Sequence, residues 1–316
     1  MLKQYLTNVK YFGILIFDKN VHISSLGGIR MNKKYKNIIS VAIICIFLLL
    51  AIYKIGLNIN NYFAEKKMYR EAVSYINCGK VDKAREMFFR LGDYNDSQSY
   101  VKDLLKNLEK GDSFLFGKYE QDGNIENGPE PIEWIVIGRT ETKALLLSKY
   151  CIEKMPYNNR YEKTTWEKSD LRKWLNTEFL DTAFSEKQSE KYISEVCIKT
   201  QSNFKYGTTG GKESIDKVFL LSEPEFNIYL NNEDKKAKGS KYIIDKGYTK
   251  NGYCLYWLRT AGVSQYNAMN ISIDGEINNM GYAVNHSISQ QHPDQEGETI
   301  YLGSFGVRPA IYLKTE

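Results

Sequence analysis

Histidine and proline are scarce in this chain: 3 His and 6 Pro among 316 residues. Histidine is the side chain whose ordinary pKa lies nearest neutrality, so its scarcity leaves few candidates for acid–base catalysis or metal ligation near pH 7. Cysteine is scattered, at Cys45, Cys78, Cys151, Cys197 and Cys254. No C-x-x-C pair occurs, which excludes a zinc ribbon and a thioredoxin-type redox motif. An odd count, with one Cys inside an apolar run, is poor footing for a disulfide framework. Cys151, Cys197 and Cys254 could supply one bridge, but their spacing selects none, and buried free thiols are the alternative reading. The chain has no G-x-S-x-G, no H-E-x-x-H, no P-loop and no Rossmann glycine set, so the common hydrolase, metalloprotease and nucleotide-binding chemistries lack their motifs. It also lacks a long block of one charge. The 43 basic and 38 acidic residues give a net charge of +5 that is spread thinly and leaves no footprint for nucleic acid.

Aromatic residues are plentiful, with 24 Tyr, 14 Phe and 4 Trp. A hydrophobic content of 42% and a mean hydropathy of −0.46 exclude a polytopic membrane protein and a disordered tail. The length suggests about two domains, because single cores stop growing near 250–300 residues.

One stretch departs from that average. Residues 37–57 read N-I-I-S-V-A-I-I-C-I-F-L-L-L-A-I-Y-K-I-G-L, with Lys54 alone carrying charge. About 20 apolar residues match the thickness of a bilayer core, and a long lysine stem near the end can reach the interface. The run therefore reads as a transmembrane helix in contact with the lipid bilayer. Arg30, Lys33, Lys34 and Lys36 precede it. The positive-inside rule places the N-terminus in the cytoplasm and the remainder outside, a single-pass signal anchor in the cell membrane. No small-x-small cleavage site follows. Residues 1–30 hold only a short apolar stretch, and Met31-Asn32-Lys33-Lys34 looks like an ordinary signal-anchor start. Met31 is thus the expected true start, with a genuine cytoplasmic tail over residues 1–30 as the alternative.

Residues 61–108 carry helical periodicity in short pieces. Tyr62, Met68, Tyr69, Ala72, Val73 and Ile76 share one face, Gly79 sits where a left-handed C-cap is wanted, and Asp96 or Ser97 can cap a third helix. The spacing Ala72, Tyr75, Gly79, Ala84, Phe88 resembles one tetratricopeptide unit. A single repeat buries too little to stand alone, so the segment reads as a helical stalk packed on its neighbour.

From residue 111 the pattern turns to short strands with turn chemistry between helices, an α+β domain with a mixed or antiparallel sheet. A hairpin is expected from 132–137 and 144–148, and a helix over 166–184 capped by Ser169. A buried strand is expected at 216–221, followed by a helix opening at Ser222-Glu223-Pro224-Glu225. Further strands are expected at 254–259, at 268–273 before an Asp274-Gly275 turn, and at 307–313.

Eight segments in this region form a recognisable series. They are G-D-S-F-L-F-G-K-Y-E-Q-D-G at 111–123, E-P-I-E-W-I-V-I at 130–137, A-L-L-L-S-K-Y at 144–150, P-Y-N at 156–158, T-W-E-K-S-D-L-R-K-W-L-N at 165–176, D-K-V-F-L-L-S at 216–222, Y-W-L-R-T at 256–260 and G-V-R-P-A at 306–310. In this order they resemble the bacterial domain of unknown function 6273, over nearly all of 111–316. That resemblance implies no activity. The late W-L-R strand, the Gly-rich hairpins and the closing G-V-R-P-A strand also resemble the formylglycine-generating-enzyme and C-type-lectin-like superfamily. That enzyme class holds copper between two nearby cysteines, and this chain has only Cys254 in the matching region.

Arg259 and Arg308 lie beside apolar residues in expected strands. Each is either an internal clamp or one of two guanidiniums facing a groove for an anionic ligand. Trp166 and Trp257, with Trp134 and Trp174, either pack the core or form a stacking platform. Trp166, Trp257, Arg259 and Arg308 are therefore the candidate binding residues. No catalytic residue, metal ligand or cofactor is assigned. The acidic loop at 122–133 and the Q-H-P-D segment at 291–294 fit no calcium motif. The His286–His292 spacing and a Cys254–His286 pair give only weak metal or catalytic patterns. The expectation is a membrane-anchored, extracytoplasmic binding module for a cell-envelope glycan or protein. A surface catalyst of the formylglycine-generating type is the alternative; it requires a second cysteine beside Cys254.

Overall fold

The computed structural model describes residues 33–185, 189–246, 249–285, 291–293, 299–301 and 305–316, with backbone alone for 33–40, 189, 291–293 and 299–301. The expected start at Met31, the residue-1–30 tail, His286 and the side chains of the 291–294 segment lie outside the described residues. The chain divides into two compact units, Met1–Phe63 and Ala64–Glu316.

One helix is long and apolar enough to cross a membrane. Helix α1 runs without interruption over Lys33–Asn77, its most apolar stretch has a mean hydropathy of 2.3, and its side chains from Val41 to Leu57 are nearly all exposed. The helix does not stop near residue 57. No Pro occurs in it and no Gly after Gly56, so nothing in the sequence breaks the backbone ladder before Gly79. Gly79 adopts φ +71°, the left-handed conformation expected there, and α2 follows at Val81–Leu91. Helix α3 spans Ser97–Lys106. Asp96 precedes it but makes no capping bond. Its carboxylate instead accepts the Tyr69 hydroxyl, while Ser97 Oγ donates to the Tyr94 carbonyl.

In the second unit the three helical segments share a core with the strands that follow. Phe89 lies 4.9 Å from Phe116 and 5.3 Å from Tyr192, ring centre to ring centre. Arg85 sits 5.0 Å over the Phe114 ring, and the Arg139 guanidinium donates to the carbonyls of Lys106 and Leu108. Residues 64–108 thus belong to the same compact unit as the sheets.

The strands in chain order are β1 (Ser113–Tyr119), β2 (Glu130–Arg139), β3 (Lys143–Ser148), β4 (Tyr150–Cys151) and β5 (Glu153–Lys154). A 3₁₀ turn at Trp166–Lys168 leads into α4 (Asp170–Trp174), a π-turn at Leu175–Phe179 and α5 (Leu180–Ala183), so the expected helix exists with a wide turn at its centre. Then come β6 (Val196–Ile198), β7 (Ser214–Asp216), β8 (Val218–Phe219), α6 (Glu223–Tyr229), β9 (Lys238–Gly239) and α7 (Lys241–Asp245). The remaining strands are β10 (Tyr256–Ala261), β11 (Asn267–Ile271), β12 (Ile277–Ala283), β13 (Gln291–Pro293), β14 (Thr299–Tyr301), β15 (Gly306–Val307) and β16 (Ala310–Lys314).

Two five-stranded sheets dominate, in the orders β1-β2-β3-β16-β8 and β12-β11-β10-β15-β5. The expected β2–β3 hairpin is present and antiparallel. The expected strand over 307–313 is two strands in different sheets. Pro309 has no N–H for a ladder, and the chain changes sheets across Arg308-Pro309: β15 pairs with β10 and β5, and β16 with β3 and β8.

Candidate functional site

An open cleft of about 450 Å³ is lined by Phe226 and Asn227 on one side, by Asn232, Lys235 and Lys236 on a second, and by Asp274, Gly275, Glu276, Ile277 and Asn279 on a third. Each wall has a local cause. Helix α6 opens with a capping box: Ser222 Oγ accepts the Glu225 N–H and the Glu225 carboxylate accepts the Ser222 N–H. The second wall is turned by Asn231, whose side-chain oxygen accepts the N–H groups of Glu233 and Asp234. The third is the expected Asp274-Gly275 turn, closed by Gly275 N–H donating to Ser272 at 3.0 Å. Gly275 holds φ +85°, and a Cβ there would stand 3.1 Å from the Lys235 Cβ, so glycine lets the turn approach the second wall.

Arg259 and Arg308 lie beneath these walls. Arg259 is 3% exposed and grips Glu225 with both terminal nitrogens; it also donates to the Leu220 carbonyl at 2.7 Å. It therefore fixes the helix that carries Phe226 and Asn227. Arg308, 2% exposed, donates from Nε to the Ser148 carbonyl at 2.9 Å and from Nη1 to the Asp234 carbonyl, and covers the Tyr256 ring. The Tyr256 hydroxyl in turn donates to the Lys235 carbonyl at 2.6 Å. Burial raises the Tyr256 hydroxyl to a pKa of about 12, so it remains a donor. Both guanidiniums direct hydrogen bonds into the core and shape the cleft from below, Arg259 leaving its buried Nε without an acceptor.

Trp166 and Trp257 are each 1% exposed. Trp166 Nε1 donates to Asp216 at 2.8 Å, Trp257 Nε1 donates to the Met155 carbonyl at 3.0 Å, and Tyr157 packs between them with ring centres at 6.2 and 5.8 Å. Neither ring presents a face to solvent. Of the four candidate residues, the structure links the two arginines to the cleft walls and seats the two tryptophans in the core.

Sequence reasoning missed two polar hubs. Asp216, fully buried, accepts from Trp166, from Arg172 Nε at 2.6 Å and from Ser214 Oγ at 2.9 Å. Asn203 donates to the carbonyls of Ala261, Gly262 and Asn279 and accepts from the N–H groups of Lys205 and Tyr206. The signal for Asp216 was an acidic residue opening an apolar strand; nothing local marked Asn203.

Carboxylate oxygens of Glu120, Asp122 and Glu130 lie within 4.8 Å of one another. Each already accepts loop N–H groups: Glu120 from Gly123, Asp122 from Asn124 and Glu130 from Gln121. The Asn124 N–H, aided by the Asn127 amide, holds the Asp122 carboxyl below its ordinary pKa. The cluster is what shapes this turn.

Cys254 does have a second cysteine beside it. Cys151 pairs with Gly239 in the β4–β9 ladder, the Cys254 sulfur lies 3.1 Å from where a Gly239 Cβ would stand, and both cysteines are buried. Cys45, Cys78 and Cys197 are exposed.

No curated protein and no solved structure matches the chain. The resemblance noted over 111–316 is narrower in the family comparison, which begins at 141 although β1 and β2 pair into the same sheet as β3. The model of the domain of unknown function 6273 matches residues 141–315, and the chain belongs to that family.

Proposed function

We propose that this chain is a single-pass membrane protein whose second unit lies outside the cytoplasm and binds a cell-envelope glycan in the polar cleft. The observation that carries this reading is the state of the lining. Among the described residues, the side chains of Asn232, Lys236, Asp274, Glu276 and Asn279 engage in no hydrogen bond or ion pair, so they face the cleft as available donors and acceptors. Amides and carboxylates match the vicinal hydroxyls of sugars, while the Phe226 ring is buried beneath Lys235 Nζ, 5.4 Å over it, and packs the wall from behind. An apolar peptide anchor would ask for a pocket with the opposite balance. The basic residues Arg30, Lys33, Lys34 and Lys36 ahead of the apolar run support the orientation, with residues 37–57 in the bilayer.

The test is glycan-array and peptide pull-down screening of the full-length protein in detergent. Asp274→Ala and Lys236→Ala probe the cleft, with Arg259→Ala and Arg308→Ala as folding controls. Binding to a glycan that the cleft variants lose at unchanged melting temperature supports the proposal. Capture of a protein alone, or glycan binding indifferent to both cleft variants, overturns it. Protease digestion of intact cells checks the orientation: cleavage within 64–316 from outside is expected.

A second reading, a surface catalyst of the formylglycine-generating type, gains one observation, the Cys151 thiol beside Cys254. We place it second because the two residues are 0% and 2% exposed, which gives a substrate no access to sulfur.

A further inference from the structure

Two glycines make room for the two buried sulfurs. Cys151 pairs with Gly239 in the parallel β4–β9 ladder, and the Cys254 sulfur lies 3.1 Å from where a Gly239 Cβ would stand. On the other side, a Cβ on Gly306 would meet the Cys151 sulfur at 2.8 Å. A side chain at Gly306 would have to displace the Cys151 sulfur, and one at Gly239 would press on Ile243 Cγ2 at 2.9 Å as well as on the Cys254 sulfur. The backbone fixes both cysteines: Ser240 N–H donates to the Cys151 carbonyl and Cys254 N–H to the Ala237 carbonyl, each at 2.8 Å. Cys197, the other candidate for a bridge, lies elsewhere, exposed in β6 opposite Ile215 with its sulfur on Glu213.

We propose that Cys151 and Cys254 are a paired oxidation site that closes a disulfide, joining β4 to the residue that leads into β10. A thiolate of one cysteine attacks a low-molecular-weight disulfide such as oxidised glutathione, forms a mixed disulfide and expels one glutathione thiolate. The second cysteine attacks the protein sulfur of that mixed disulfide and expels the second glutathione. One disulfide is consumed, one is formed, and the protons of the two cysteines leave with the two glutathione thiols. Burial raises the Cys151 thiol pKa, the Cys254 thiol raises it further, and Arg308 opposes both. The folded Cys151 thiol is therefore a poor nucleophile and both sulfurs are closed off from solvent, so exchange takes place while the chain is open, during folding or local unfolding. The proposal makes no use of the ligand and stands apart from the glycan reading.

Full-length protein in detergent is reduced, then equilibrated with glutathione buffers of stepped ratio in subdenaturing urea, quenched with N-ethylmaleimide and digested without reduction. One cross-linked product joining residues 151 and 254 is expected in the oxidising buffers. Dithiothreitol should cleave it roughly tenfold faster or more once urea opens the fold. Maleimide or glutathione on both cysteines at every ratio, or a bond from either to Cys197, overturns the proposal. Cys151→Ala and Cys254→Ala should each abolish the cross-link; if either fails to fold, mapping of the wild-type protein still decides.

Discussion

Arg259 holds Glu225 with both terminal nitrogens while the same carboxylate caps helix α6 through the Ser222 N–H. One acidic side chain thus joins a buried cation to a helix end. Glu225→Ala strands the guanidinium in the core and should cost about 3–5 kcal/mol. Ser222→Ala removes only a cap bond and should cost about 1 kcal/mol. Urea denaturation of the two variants measures the difference; equal losses would refute the shared role.

Gly275 serves both its turn and the cleft. Gly275→Ala forces an L-residue to φ +85° and drives a methyl group toward Lys235, while Gly252→Ala meets the same backbone penalty at φ +82° with nothing closer than 4.0 Å. Each should lose roughly 1–2 kcal/mol of stability from the backbone alone. Only Gly275→Ala should also weaken ligand capture, as read on the glycan array.

Lys154 gives a pH signature. Burial lowers its pKa to about 8 from an ordinary 10.5. Below pH 8 the amine is protonated in both states, and the folded state bears the cost of the half-buried charge. Between about 8 and 10.5 the folded state has released its proton and the unfolded state has not, so stability rises with pH over that window. Lys154→Met should therefore melt higher than wild type at pH 7, with its advantage shrinking above pH 8. A constant gap across pH would refute the assignment.

Asp216→Asn replaces an acceptor of three bonds with a group that must turn an amide N–H₂ toward one of its donors. A loss of roughly 2–3 kcal/mol is expected by urea denaturation. The Trp166 Nε1 donor lies on Asp216, so Trp166 emission should shift in the same variant before global unfolding.

Local chemistry was legible in the sequence, and long-range pairing was not. Ser169 accepts the Arg172 N–H and Ser222 forms its capping box, as their spacing to the next residues implied. The β2–β3 hairpin and the Asp274-Gly275 turn also follow from neighbours in the chain. The two arginines could be read as buried cations in need of partners, but Glu225 and the Asp234 carbonyl lie far from them in sequence. The cleft draws its three walls from segments centred near 227, 234 and 276, and no periodicity in any one of them marks a shared opening. The same holds for Cys151 and Cys254, which only the sheet arrangement brings together.

The crossing at Arg308-Pro309 bears on the order in which the protein can assemble. β15 lies between β10 and β5, and β16 between β3 and β8, so strands from the end of the chain fill interior places in both sheets. Neither sheet can close until these residues emerge from the ribosome. Both sheets therefore stay open, with an interior place unfilled, until synthesis of the chain is nearly complete. The closing contacts span most of the sequence, the arrangement associated with slow folding.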